Sequence, residues 1–169
     1  MQKKYWYVVL MAFLLSSCQF YTFRGISISE EVKSFSVAQF KILPPIAPPT
    51  LGQTVGEKLK NRIRNNTRLK RVDADAEADL AFVGTIVGYD IISVAAQPGQ
   101  AATLNQLKIS VEMEVTNAKE EKKTYRQIFS FQQDFPATTD ILAVQDQLIN
   151  TISEKLIDDI FNKTFTEDW

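Results

Sequence analysis

Histidine is absent from the 169 residues, and cysteine occurs once, as Cys18. These two scarcities remove the commonest transition-metal ligands and every catalytic triad built on an imidazole base. Oxygen-only calcium or magnesium sites would survive them, but no D-x-[DN]-x-[DN]-G loop occurs. The signatures G-x-S-x-G, G-x-x-x-x-G-K-[ST] and G-x-G-x-x-G are missing as well. No nucleophile–base pair stands out, so an enzyme is not expected, nor a metal or a cofactor. Internal repeats and low-complexity tracts are also lacking. What is present is ordinary: 45% hydrophobic and 23% charged residues, a composition that argues against wholesale disorder. Without a short N-terminal segment, about 150 residues remain. That is the size of one domain, able to bury roughly 70% of its unfolded surface.

The lone cysteine has a distinctive setting. Lys3 and Lys4 form a positive start, Tyr5 to Leu15 an uncharged apolar run, and Ser16 and Ser17 a small-residue stretch. This is the layout of an export signal over residues 1–17. Eleven residues at helical rise span about 16 Å, half of a bilayer core, so the run is too short for a comfortable transmembrane helix. Leu15-Ser16-Ser17-Cys18 resembles the bacterial lipobox, in which the thiol takes a diacylglycerol, the peptide is cut before the cysteine, and the new amine is acylated. Several acyl chains hold where one binds reversibly. Gln19 follows, where an aspartate would resemble an inner-membrane retention signal, and Phe20 to Phe23 carry no acid. The expected location is the outer membrane, lipid-anchored and facing the periplasm. Loss of Lys3 and Lys4 leaves 17 basic against 20 acidic residues, a net charge of −3. That is no footprint of a nucleic-acid binder.

Residues 18–33 read as the lipidated N-terminus and a tether, and 34–169 as one domain. "SFSVAQFKI" is a first strand, with Phe35 and Val37 in one phase, Phe40 and Ile42 in the other, and a bulge near Ala38–Gln39. The four prolines of "PPIAPPT" make an extended link. Helix one follows Thr50, with Leu51, Val55, Leu59 and Ile63 as its stripe; Gly52 and Gly56 weaken it but let another backbone approach. "NNT" ends it. "RLKRV" is a short strand and "DADAEAD" a solvated loop. "LAFVGTIVGYDII" is a central strand, apolar on both faces. In "NQLKISVEMEVTN", Leu107, Ile109, Val111, Met113 and Val115 alternate with polar residues. "TYRQIFSFQQDF" returns, with Tyr125, Phe129, Phe131 and Phe135 in phase. A helix over about 139–163 closes the chain, its stripe made of Ile141, Leu142, Leu148, Ile149, Ile152, Leu156, Ile160 and Phe161. The expected fold is α+β: a four- to five-stranded, antiparallel-rich mixed sheet with two helices on one face.

Two surfaces remain as candidates. Lys58 to Arg71 carries seven cations opposed only by Glu57. Arg64, Arg68, Lys70 and Arg71, at the helix end and the turn beyond, either complement the helix dipole or meet a phosphorylated ligand such as lipopolysaccharide. Asp158 and Asp159 read as a solvated helix face. The loop "SVAAQPGQAATL", with Gln97, Pro98, Gly99 and Gln100 at its tip, is either a mobile hairpin end or a plug for a partner's cavity.

The ordered set "FYTFRGISI", "KSFSVAQF", "PPTLGQTVGEKLKNRI", "FVGTIVGYDI", "LKISVEMEVTN" and "LIDDIFNKTFTEDW", behind Cys18, resembles the LptE-type lipopolysaccharide-assembly lipoproteins in their Bacteroidetes version. The resemblance runs from Cys18 to Trp169. It implies a lipid-tethered sheet with two packed helices that plugs the lumen of the large β-barrel LptD, assists its assembly and helps deliver lipopolysaccharide to the cell surface. It implies as partners an LptD-type barrel, lipopolysaccharide and outer-membrane lipid. The same features suit a second reading, a periplasmic pilot or auxiliary lipoprotein for another secretion barrel or lipid transporter.

Overall fold

The computed structural model describes residues 28–73, 77–94 and 104–166. Two helices and a six-stranded mixed sheet form an α+β fold. In chain order the elements are β1 (Ser34–Val37), β2 (Lys41–Ile42), α1 (Leu51–Asn66), β3 (Lys70–Arg71), β4 (Leu80–Val94), β5 (Leu104–Asn117), β6 (Tyr125–Pro136) and α2 (Ile141–Phe165). The sheet order is β3-β1-β4-β5-β6, with β2 on β4 beyond the end of β1. The long strands β4, β5 and β6 are antiparallel. The short ones are parallel to their neighbours, because α1 carries the chain back to the same end before β3 begins.

The sixth strand arises where the expected first strand breaks. Val37 lies opposite Phe82 and Lys41 opposite Thr85, so the β1–β2 side holds one residue more than β4 does. The extra residue turns the Phe40 ring inward, where it is buried. A Cβ at Gly84 would overlap that ring, a Cβ at Gly52 would lie 2.9 Å from the Phe40 carbonyl oxygen, and one at Gly56 would lie 3.4 Å from the ring. Gly52 thus does admit another backbone, that of the β1–β2 break, whereas Gly56 makes room for the Phe40 ring.

The proline segment forms two turns rather than an extended link. Ala47 donates to the Pro44 carbonyl and Leu51 to that of Pro48. Pro45 and Pro49 take the second position of each turn, where a fixed φ is an advantage. Leu51, Val55, Leu59 and Ile63, four residues apart, are all fully buried. Thr50 stands at the N-cap without a side-chain cap. Asp140 does cap α2, accepting from the Leu142 amide at 3.0 Å.

Both helices cover one face of the sheet. Phe82 meets Phe165 of α2, and Gly84, two residues on and in the same phase, meets Phe40 under α1. The alternating residues of β5 are completely buried beneath them. Two expectations change. β4 buries one face only: Leu80, Phe82, Ile86 and Tyr89 are inside, whereas Val83 faces out. A register shift at Val87, between Ile86 and Gly88, keeps Tyr89 inside. On α2, Leu142 is 75% exposed, while Ser153, Ile157 and Phe165 join the buried stripe. Leu142 lies in the first turn, past the end of the facing helix.

Candidate functional site

Two ends of the molecule concentrate its unusual chemistry. At one, the chain leaves the tether and enters β1. Arg68 donates to the carbonyl oxygens of Ile28 (3.3 Å) and Ser29 (3.0 Å). Asp79 holds the next residues. One carboxylate oxygen accepts from the Lys33 amide (2.9 Å), the Ser34 amide (3.0 Å) and the Ser34 hydroxyl (2.9 Å), and the Asp79 amide returns a bond to that hydroxyl. The other oxygen meets the Lys119 ammonium at 3.3 Å. The Lys33 amide, with the Ser34 and Lys119 donors behind it, pulls the carboxyl down to about 2 against the opposing effect of burial. Asp79 closes the acidic run "DADAEAD". There the solvated-loop reading fails, because the last aspartate faces two amides left free at the start of a strand.

The cationic segment is largely engaged within the chain. Lys58 pairs with Glu154 (3.1 Å) and Arg62 with Asp158 (3.0 Å), so two rungs join α1 to α2. Arg62 also lies 5.1 Å from the centre of the Phe161 ring. Asp158 is therefore an interhelical partner and not a merely solvated residue. Lys60 holds Glu57, whose carboxyl it lowers through a hydrogen bond, with the nearby charges of Arg71 and Arg64 helping. Of the four candidate phosphate contacts, Arg64 donates to Asn61 (2.8 Å), Arg71 to Asp73 (2.8 Å), and Arg68 secures the tether. Lys70 stands exposed on the edge strand β3. Among the described residues no cluster of acids or cysteine could hold a metal.

The opposite end is aliphatic. Leu43 donates its amide to Ile86 as β2 finishes, which brings the proline turns beside β4. Gln145 of α2 donates to the Tyr89 hydroxyl at 2.8 Å, which brings the first turns of α2 to the same level. From there β4 and β5 run on to Val94 and Leu104. Leu43, Ile46, Leu142, Ile91, Ile92 and Val94 are all exposed here. Ile91 and Ile92 are adjacent and point to opposite faces, so the hairpin leaves the two-layer core bare on both sides. Gln97, Pro98, Gly99 and Gln100 lie outside the described residues, as does Cys18. From the sequence the proline segment reads as an extended link and Leu142 as part of the last helix's buried stripe, and neither reads as exposed surface. An apolar residue beside a proline reads equally as core or surface, and helical period alone does not tell that Leu142 lies past its cover.

The structure is thus a mixed sheet backed on one face by two helices, with the segment before β1 fastened at one end and aliphatic side chains exposed at the other. The chain belongs to the LptE lipopolysaccharide-assembly family, whose model matches residues 32–164. Solved structures are similar to this chain to different degrees. The hypothetical protein CT253 from Chlamydia trachomatis is 8% identical, with a TM-score of 0.53, over 79% of this chain and 98% of that one. A minor lipoprotein from Acinetobacter baumannii is 13% identical, with a TM-score of 0.48, over 82% and 99%. Lipoprotein B from Nitrosomonas europaea is 14% identical, with a TM-score of 0.47, over 82% and 88%. No curated protein matches. Among the described residues no helix is long and apolar enough to cross a membrane.

Proposed function

We propose that this protein is the non-enzymatic outer-membrane lipoprotein subunit of a lipopolysaccharide translocon, anchored through acyl chains on Cys18, plugging and assisting assembly of an LptD-type β-barrel. The observation that carries the reading is the family match across residues 32–164. Two features support it. The described body begins ten residues after the lipobox cysteine, a tether that reaches at most about 35 Å. The aliphatic tip lies at the far end of the body from that tether and suits an apolar cavity better than open water. The loop bearing Gln97, Pro98, Gly99 and Gln100 joins the two strands of the tip and is the proposed plug. Arg64, Lys70 and Arg71, near the other end, are the proposed contacts to lipopolysaccharide phosphates, with Arg68 beside them.

The test is gentle solubilisation of the outer membrane and identification of what co-purifies with the tagged mature chain. A large β-barrel protein is expected, and depletion of the chain is expected to stall lipopolysaccharide before it reaches the surface. Recovery without such a barrel, or with a barrel serving another cargo, overturns the reading.

A further inference from the structure

The two edges of the sheet are unlike. β3 closes one edge with two exposed residues, Lys70 and Arg71. Short, cationic edges of this kind discourage pairing with another chain. β6 closes the other edge with twelve residues and a single cation, Arg126. It contains no lysine, its proline is the last residue, and its register with β5 runs unbroken from Tyr125 to Pro136.

The direction of its backbone groups follows from the ladder. Ala118 sends its amide to Asp79 on the β4 side, and Asn117 sends its own to Thr124 on the β6 side. Counting by twos along the unbroken register, the odd-numbered residues of β6 bond to β5. Arg126, Ile128, Ser130, Gln132 and Asp134 then aim their amides and carbonyls away from the sheet. Among the described residues no strand lies beyond them.

That row is complementary to itself. Laid antiparallel about a two-fold axis through Ser130, Arg126 falls opposite Asp134 of a second copy, Ile128 opposite Gln132, and Ser130 opposite its own equivalent. On the helix-covered face, Phe129 falls opposite Phe131 and Tyr125 opposite Phe135. Arg126 already holds Glu112 at 2.6 Å, and Asp134 accepts from Gln106 at 2.7 Å. The seam therefore joins two existing polar pairs into a row of four side chains, and symmetry provides that row twice. Sliding the register by one pair in either direction loses both ion pairs. We propose that β6 is the interface of an isologous dimer, in which two copies of this chain form one continuous sheet through about ten backbone hydrogen bonds.

The proposal is argued from the sheet edge and not from the translocon reading, and it concerns the chain outside a barrel, because the two-fold axis points the two aliphatic tips in opposite directions. Its test is sedimentation of the full mature chain in nonionic detergent, at enough detergent to separate lipid tails into different micelles. The wild type is expected to be a dimer in the micromolar range. Ser130→Lys and Ser130→Glu each place like charges face to face on the axis, and each is expected to dissociate at least about tenfold more readily. An equimolar mixture of the two is expected to give a mixed dimer at least as tight as the wild type. Gln132→Pro, which removes an outward amide and leaves the β5 ladder intact, is expected to be monomeric with an unchanged circular dichroism spectrum. A monomeric wild type at about 100 μM, dimers that survive all three substitutions, or variants that do not pair on mixing would each overturn it. A wild type that stays monomeric but takes up an extended peptide along β6 counts as the first of these.

Discussion

At the scale of single residues, three positions have consequences that a calorimeter or a denaturant titration can read. Asp79 titrates near 2 in the fold against an ordinary carboxyl near 3.9 in the unfolded chain. The fold therefore prefers the ionised form. That contribution is complete above the ordinary value and is lost as pH falls through it towards 2. Urea midpoints of the wild type should decline between pH 5 and 2 more steeply than those of Asp79→Asn. Equal slopes would show that the carboxylate does not matter. Gly84 lies under the Phe40 ring, so Gly84→Ala should cost about 1–3 kcal/mol by overpacking. The cost should shrink in a Phe40→Leu background, and an unchanged cost there would place the clash elsewhere. The Ser153 hydroxyl is buried without a partner, so Ser153→Ala should leave thermal stability the same or raise it by up to about 1 kcal/mol. A clear loss would reveal a bond to the hydroxyl.

At the scale of elements, α1 and α2 are held by a shared core and by two ion pairs on its rim. Arg62 and Asp158 are about two-fifths exposed, so their pair contributes little by itself. The stacking of Arg62 on Phe161 adds to it. Arg62→Ala should therefore cost about 1 kcal/mol in urea unfolding, and Arg62→Lys should recover less than half, because lysine has no planar face to stack. Full recovery would assign the effect to charge alone. Much of this level was legible from the amino acids. The four-residue spacing in α1 and the two-residue alternation in β5 each admit one buried face, and both elements stand where those periods put them. Sequence spacing could not reveal what depends on contact at a distance. The turn to Phe40 exists because Gly84, more than forty positions away, leaves room. Asp79 has no local mark distinguishing it from the other acids of its run. Leu142 fits the period of its helix but lies beyond the element that would have covered it.

At the scale of the whole molecule, the aliphatic tip and the start of β1 occupy opposite ends, and the proposed docking should respond to the tip alone. Leu142→Asp with Ile46→Asp, both at exposed positions, should shift the melting temperature by no more than a few degrees while co-purification of the barrel protein falls sharply. Undiminished recovery would move the contact to another surface. The placement of β1 has a mechanical consequence. The chain enters this strand through a turn in which the Val32 amide donates to the Ser29 carbonyl oxygen, and the strand lies between β3 and β4, parallel to both. A pull from the proposed anchor must open that turn and the Arg68 bonds before it loads β1. A load along the strand axis then strains the hydrogen bonds on both flanks in shear, so they must give way together, whereas a hairpin pulled from its open end peels apart one bond at a time. The Asp79 carboxylate and Arg68 lie across the first residues to feel that load, so the described part of the chain nearest the proposed anchor is fastened before the load reaches the strand.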